Sequence, residues 1–448
     1  MRKTNSVALA LFLLGTFSMT QIRLIGNIGI SEVFVFVVAP YWWIRDRMTL
    51  RRDRFGFIIL LSLLTCLSCC VSSYLNGTPF PFVIRGIASP YAVFAWTVVL
   101  HRLLVKDLTA FRWLLVGAAL TLIINTFVFQ TGQRADGSIN GEFGNAVEIT
   151  MNNPLYWVSR LTPWITLPAR GWYFTTPLSV SFLSALLLAV YTLVSSESGR
   201  SASAVMLAAS FLLLIGGKSR KSMLRLKKTF LLVVISAVVV MGGFKKIYQA
   251  LALNGTLGEK ALKKYEVQTR MGSDVLSLLM GGRAEFFIGL FAALDKPLFG
   301  HGPWAVDTKR YVGDYLAKYG DADDYRIFVK NEDNMIMGSR GGMLLPTHSH
   351  LVGFWVWYGL IGLLLWVYVL YLCMKLFCRY LDAIPQWYGF FCLTVPASLW
   401  HIFFSPFGNR MLESLLIVTI LLARAVSENK LRLPMKMEIE ILSKDRSK

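Results

Sequence analysis

The sequence predicts an all-α, polytopic membrane protein with about twelve transmembrane helices and one large external helical loop domain. Three observations carry this expectation. Of 448 residues, 55% are hydrophobic and only 16% are charged. The mean hydropathy is +0.53, and long, nearly uncharged runs recur from the first fifth of the chain to the last. A soluble core cannot absorb that much apolar surface, and the same composition excludes a disordered chain, a collagen-like fibre and a small disulfide scaffold.

Candidate spans lie near residues 6–20, 24–44, 55–75, 82–101, 109–129, 173–195, 201–217, 229–243, 349–374, 385–405 and 408–424. The N-terminus, Met1-Arg2-Lys3 before an oily run to Leu14, resembles a signal peptide without a convincing small-residue cleavage site, and reads as an uncleaved first helix. Cys66, Cys69, Cys70, Cys373, Cys378 and Cys392 lie in or beside apolar runs without paired polar ligands. They are expected to be buried, inert thiols.

The net charge of +20 raises the possibility of a nucleic-acid partner, but the basic residues cluster in short segments between apolar runs. That pattern is a topology signal, and no nucleic acid is expected. Arg45, Arg47, Arg51, Arg52 and Arg54 mark one cytoplasmic linker, and Lys218, Arg220, Lys221, Arg225, Lys227 and Lys228 mark another. The tail with Lys430, Arg432, Lys436, Lys444, Arg446 and Lys448 agrees with both. Two cytoplasmic linkers must be separated by an even number of crossings, yet five spans lie between them. The missing crossing falls best on 146–167, where Tyr156, Trp157, Leu161, Trp164 and Ile165 are interrupted by Arg160 and two prolines. Such a segment either crosses facing a polar cavity or lies in the interface.

The expected organisation is therefore membrane helices over 1–130, an external loop with a weak or interfacial span over 131–175, and central membrane helices over 176–243. A large external domain over 244–347, membrane helices over 348–424 and a cytoplasmic tail over 425–448 follow. The external domain holds 14 basic and 12 acidic residues, nearly half of the acids in the chain. Residues 258–280 suit amphipathic helices, and 283–294 form a helix with one oily face. Gly281-Gly282 precedes that helix, and Pro297, Gly300, Gly302 and Pro303 end it in a turn, which puts Arg283 in its first turn. Asp321, Asp323 and Asp324 read as a solvated face, or alternatively as a cation or acceptor-steering site.

Three positions draw attention as chemistry. His348-Ser349-His350 stands directly before the uncharged run Leu351 to Leu370, at the expected outer boundary. A histidine there is either a boundary residue or a base for an incoming hydroxyl, its ordinary pKa being near neutrality. Arg200 opens the apolar helix Ser201 to Leu214 at its external end. It either snorkels or meets an anion, and its rigid fork of donors suits a phosphate or diphosphate. Trp157, Trp164, Trp172 and Tyr173 read as interface anchors or sugar platforms. Trp304, beside the 300–303 turn, is the better sugar contact, whereas His301 reads as a residue that shapes the turn.

Three stretches then resemble the O-antigen ligase and polymerase family of bacterial envelope enzymes. They are Ser198-Gly199-Arg200-Ser201, Gly282-Arg283 followed by Asp295-Lys296-Pro297-Leu298-Phe299-Gly300-His301-Gly302, and His348-Ser349 followed eleven positions on by Gly359-Leu360-Ile361-Gly362. The similar region runs from 196 to 375, and Ser349 replaces the Asn usual after the family histidine. The resemblance implies a GT-C-like helical glycosyltransferase in the bacterial inner membrane, with its large loop periplasmic and its C-terminus cytoplasmic. Its donor is an undecaprenyl-diphosphate-linked oligosaccharide and its acceptor a glycan or lipid-linked chain, with a flippase and a chain-length regulator as further partners. By the same resemblance Arg200 and Arg283 recognise phosphate and His348 activates the acceptor, with His350 in reserve.

Guanidinium groups aimed at the leaving diphosphate stabilise charge that builds in the transition state, each such donor being worth roughly 3 to 4 kcal/mol in a water-poor cleft. They supply the positive charge that a divalent ion otherwise contributes, so neither a metal nor a cofactor is expected. Direct attack assisted by His348 inverts the sugar carbon. The expected activity is glycan polymerisation for exopolysaccharide or O-antigen, with transfer of a finished glycan to lipid A core or protein as the alternative. A flippase for the same lipid-linked units is the alternative from another class; it would require alternating access, often built on two similar halves or on helices unwound near the midplane.

Overall fold

The computed structural model describes residues 2–18, 21–23, 27–52, 54–127, 284–319, 344–346, 349–380, 388–405, 407, 411–412 and 414–425, with a few single positions elsewhere. The expected spans between 173 and 243, the 146–167 segment, most of 258–280 and the acidic stretch 321–324 lie outside the described residues.

The described chain is helical apart from a short antiparallel hairpin. Helix α1 (Arg2–Ser18) leads into strands β1 (Gln21–Arg23) and β2 (Asn27–Gly29), paired with Ile22 opposite Ile28. The span expected from 24 to 44 therefore starts later, as α2 (Ile30–Arg52), where Glu32 accepts a hydrogen bond from the Gly29 amide. At its other end α2 continues through the basic segment that the sequence suggested was a linker. Asp46 on this helix pairs with Arg102, whose guanidinium also lies 4.9 Å from the Trp42 ring centroid.

Helices α3 (Phe55–Leu75) and α4 (Phe80–Leu104) form an antiparallel pair close to the expected boundaries. Among the described residues, these two and Leu360–Phe377 are long and apolar enough to cross a membrane. The turn between them is chemically specified. Asn76 caps α3 with its backbone N–H and its side-chain amide both donating to Ser72 O, Gly77 has φ +57°, and Pro79 and Pro81 open α4 where no intrahelical donor is required. A short 3-10 turn (Leu108–Ala110), capped by Asp107 accepting from the Thr109 amide, leads into α5 (Phe111–Phe127), which packs on α1.

Of the external domain, α6 (Ala284–Asp295) and α7 (Tyr311–Tyr319) are described, joined by the expected Gly/Pro turn. The apolar run expected near 349–374 is not one helix. It divides into α8 (His350–Tyr358) and α9 (Leu360–Tyr380), with Gly359 between them at φ +69°, ψ −155°, a conformation essentially restricted to glycine. Helices α10 (Tyr388–Phe404) and α11 (Ser414–Ala425) complete the bundle.

Helix α9 runs antiparallel to α3. Tyr358, just before α9, meets the C-terminal half of α3 through its carbonyl, and Tyr368 meets Phe57 near the opposite end. The main core joins α1 to α5 with α8 to α11 through fully buried Trp96, Phe94, Phe111, Phe354, Tyr358, Trp366 and Phe391. Within it, Tyr358 Oη donates to Gly86 O on α4. The four cysteines whose side chains are described are thiols, not disulfides; Cys69 and Cys373 are buried as expected, but Cys70 is exposed on the flank of α3.

Candidate active site

Local chemistry positions the two helices that follow the sequence motifs. Ser349 is the N-cap of α8: extended at φ −159°, it accepts from the Val352 amide at 3.0 Å and satisfies one of the donors that a helix start leaves unpaired. Its hydroxyl also donates to Ile402 O at 3.2 Å, which ties the start of α8 to the end of α10. A small hydroxyl therefore does here what a capping Asn would do. Helix α6 begins at Ala284 and presents Gly289, Ala292 and Ala293 to α8, where Val352 and Val356 fill the seam with Ala305 and Leu345. Near its start, Phe286 lies 5.5 Å from Phe404 of α10.

The break at Gly359 leaves backbone groups that a continuous helix would have paired internally. In a membrane protein such groups persist only where other protein atoms satisfy them, and here two distant segments do so. From the 295–302 motif, the His301 amide donates to Val356 O at 2.6 Å and Leu298 O accepts from the Leu360 amide at 3.2 Å. From α3, Ser72 Oγ donates to Trp357 O at 3.0 Å and Ser68 Oγ to Tyr358 O at 2.6 Å. Pro297 O further accepts from Trp355 Nε1 at 3.0 Å. Gly300, at φ +71°, lies so close that an added Cβ would come within 2.7 Å of Val356 O and the Gly359 amide.

The same loop docks on the α3–α4 turn. Asn76 Nδ2 donates to Gly300 O at 3.2 Å and Asn76 Oδ1 accepts from Lys296 Nζ at 2.6 Å, while Pro303 packs against Gly86. Beyond it, Leu345 N donates to Ala305 O at 2.9 Å and Val306 bridges Leu344, so the chain arriving at α8 is paired to the chain leaving the turn.

His301 is buried at the centre of this junction. Its Nε2–H donates to Ala292 O at 2.7 Å, closing the turn on the helix before it, as the sequence suggested for a turn-shaping residue. Burial holds its pKa below the usual imidazole value, with Lys296 and Lys309 acting in the same direction and Ala292 O and Asp295 opposing. On the exposed side, Asp295 accepts from Lys309 Nζ at 2.7 Å and from Tyr311 Oη at 2.7 Å, and these hydrogen bonds lower its carboxyl below the ordinary range.

Of the residues singled out from sequence, Arg200, Arg283 and His348 lie outside the described residues, as do Trp157, Trp164, Trp172 and Tyr173. The described helices that directly follow Arg283 and His348 in the chain, α6 and α8, pack against each other. Trp304 adopts φ +51°, unusual for a bulky residue, with its ring 4.5 Å from Trp357 and 6.2 Å from Phe82, over which Arg85 lies at 5.7 Å. His350 is 0% exposed, its ring 4.7 Å from Trp366 and 5.7 Å from Phe407.

Sequence reading missed four polar residues at this end of the bundle. His401, hydrogen-bonded through Nδ1 to Ser405 Oγ at 2.9 Å, lies one residue from the Ile402 carbonyl that Ser349 holds. Ser68, Ser72 and Asn76 recur at four-residue spacing along α3 and its C-cap, which puts them on one face. That spacing was the available signal.

No curated protein matches the chain. The model of the O-antigen ligase family matches residues 184–367, a segment that contains α6, the 296–303 turn, α8 and the helix break, and this match supports the resemblance to the O-antigen ligase and polymerase family.

Proposed function

We propose that the chain is a metal-independent, inverting glycan polymerase on the outer face of the bacterial inner membrane. It transfers an undecaprenyl-diphosphate-linked oligosaccharide onto a growing lipid-linked chain of exopolysaccharide or O-antigen. The observation that carries the reading is the packing of α6 on α8, the two described helices that follow Arg283 and His348 in the chain, within the segment that matches the O-antigen ligase family. In this reading an organisation of about twelve membrane helices, with a cytoplasmic tail, presents the α3–α4 turn and the 296–303 loop to the periplasm.

Arg200 and Arg283 hold the diphosphate oxygens. His348 takes the proton of the acceptor hydroxyl as its oxygen forms the new bond at the anomeric carbon. The bond from that carbon to the diphosphate breaks on the opposite face, the leaving electron pair passes to the diphosphate, and configuration inverts. Trp304 lines the sugar end. The enclosure of His350 between Trp366 and Phe407 suits support of the α8 start, so the base is assigned to His348 alone. The ligase reading, transfer of a finished glycan to lipid A core or protein, is favoured by the name of the matched family.

Deleting the gene and sizing the accumulated lipid-linked glycans separates the two. Single repeats are expected for a polymerase, and long chains left on the carrier would establish the ligase instead. Complementation with Arg283→Ala is expected to yield no product at normal protein level; normal polymer from that variant would reject the role given to Arg283.

A further inference from the structure

We propose that Ser68 and Ser72 of α3, with Asn76 at its end, are positioning residues for glycan transfer, acting from outside the family-matched segment 184–367. The inference rests on the transferase reading. Helix α6 begins directly after Arg283 and the Ser349 cap of α8 directly after His348, and the turn that follows α6 meets the far end of α8 at the break at Gly359. At that meeting point the α8 carbonyls are shared between the 295–302 motif and α3: Val356 O accepts from the His301 amide, Trp357 O from Ser72 and Tyr358 O from Ser68. Asn76 holds the motif itself through Gly300 O and Lys296 Nζ. One helix thus grips the end of α8 and the turn that closes α6.

These bonds differ from the other hydroxyl contacts of α3. Ser62 Oγ donates to Ile58 O and Thr65 Oγ1 to Leu61 O, each within its own helix and with no bearing on the site. Ser68 and Ser72 reach residues 290 and 285 positions away. Loss of their bonds leaves buried carbonyls unsatisfied at a hinge-like break, and the short, stiff helices on either side carry any shift to their starts. Misplacement of reacting groups by about 1 Å can cost on the order of a hundredfold in rate. Because the shift misaligns bound groups without removing a donor contact, it lowers turnover more than it weakens donor binding.

The test uses the full chain in proteoliposomes, with a polyprenyl-diphosphate-linked oligosaccharide as donor. Ser68→Ala/Ser72→Ala is expected to lower kcat at least tenfold while the donor KM stays within twofold. Backbone amides over 296–302 and 353–363 should exchange with deuterium faster than in the parent, and Ser62→Ala should behave as the parent in every readout. If the double variant does not fold, the two single variants are read in the same way. Parental kcat in folded variants, a rise in KM alone, or an equal loss in Ser62→Ala would overturn the inference. A parent chain that forms no glycosidic bond from this donor would instead sink the transferase reading.

Discussion

His301 combines three contacts that bear on one another. Its amide holds Val356 O, its Nε2–H holds Ala292 O, and its ring lies edge-on 5.9 Å from Tyr311, so the residue must remain a neutral donor in a poorly hydrated junction. Burial is the main cause of its lowered pKa; Lys296 and Lys309 lower it further, and Ala292 O and Asp295 only partly offset these effects. A histidine whose folded-state pKa is depressed binds fewer protons folded than unfolded in the window below about 6.5, so its contribution is intact above that pH and lost as pH falls. Thermal unfolding in detergent is therefore expected to show a larger loss of stability between pH 7.5 and pH 5 for the parent than for His301→Asn. Parallel pH curves for the two proteins would contradict this account.

Among the elements, the α8–α9 pair departs furthest from a simple membrane helix. Hydrophobicity is continuous across it, and of the glycines in this run, Gly353, Gly359 and Gly362, it is Gly359 that divides the helix. The interruption is required, because a Cβ at 359 would overlap the Leu298 carbonyl and because φ +69° with ψ −155° is accessible to little else. Gly359→Ala is expected to cost about 3 kcal/mol or more, read as a loss of folded protein and a marked fall in thermal midpoint. Retention of the parental midpoint would mean that the break is not fixed as described. The N-cap of α8 could have been read from a small polar residue standing before an apolar run, whereas its second bond to Ile402 O could not.

At the scale of the molecule, the 296–303 loop docks on the Asn76 end of α3, and the Asp46–Arg102 pair lies near the opposite end of the α3–α4 hairpin. The docked loop and the α3–α4 turn must therefore face the same side of the membrane. With the basic end of α2 cytoplasmic, an impermeant maleimide applied to intact cells stripped of the outer membrane is expected to label Pro79→Cys and Lys309→Cys. On the same cysteine-substituted background, Arg45→Cys should label only after permeabilisation. Labelling of Pro79→Cys and Lys309→Cys from opposite sides would break the arrangement. The boundaries of α3 and α4 and the turn after Asp295 followed from runs of apolar residues bounded by Asn, Gly and Pro. The start of α2 did not, since the strand hairpin before it is as apolar as the helix it delays.

The sequence by itself determined that the chain is built from apolar helices, that a charged segment interrupts them, and that the 295–302 and 348–362 motifs belong together. Those properties are written in local composition and in the order of motifs along the chain. Only the tertiary structure decided that the second motif breaks a helix, that the first fills the break, and that two serines near residue 70 complete it. The reason is that a hydrophobic run reports where a segment is buried. The unpaired carbonyls of a broken helix must be met by whatever donors folding brings to them, and here two of those donors come from nearly three hundred residues away.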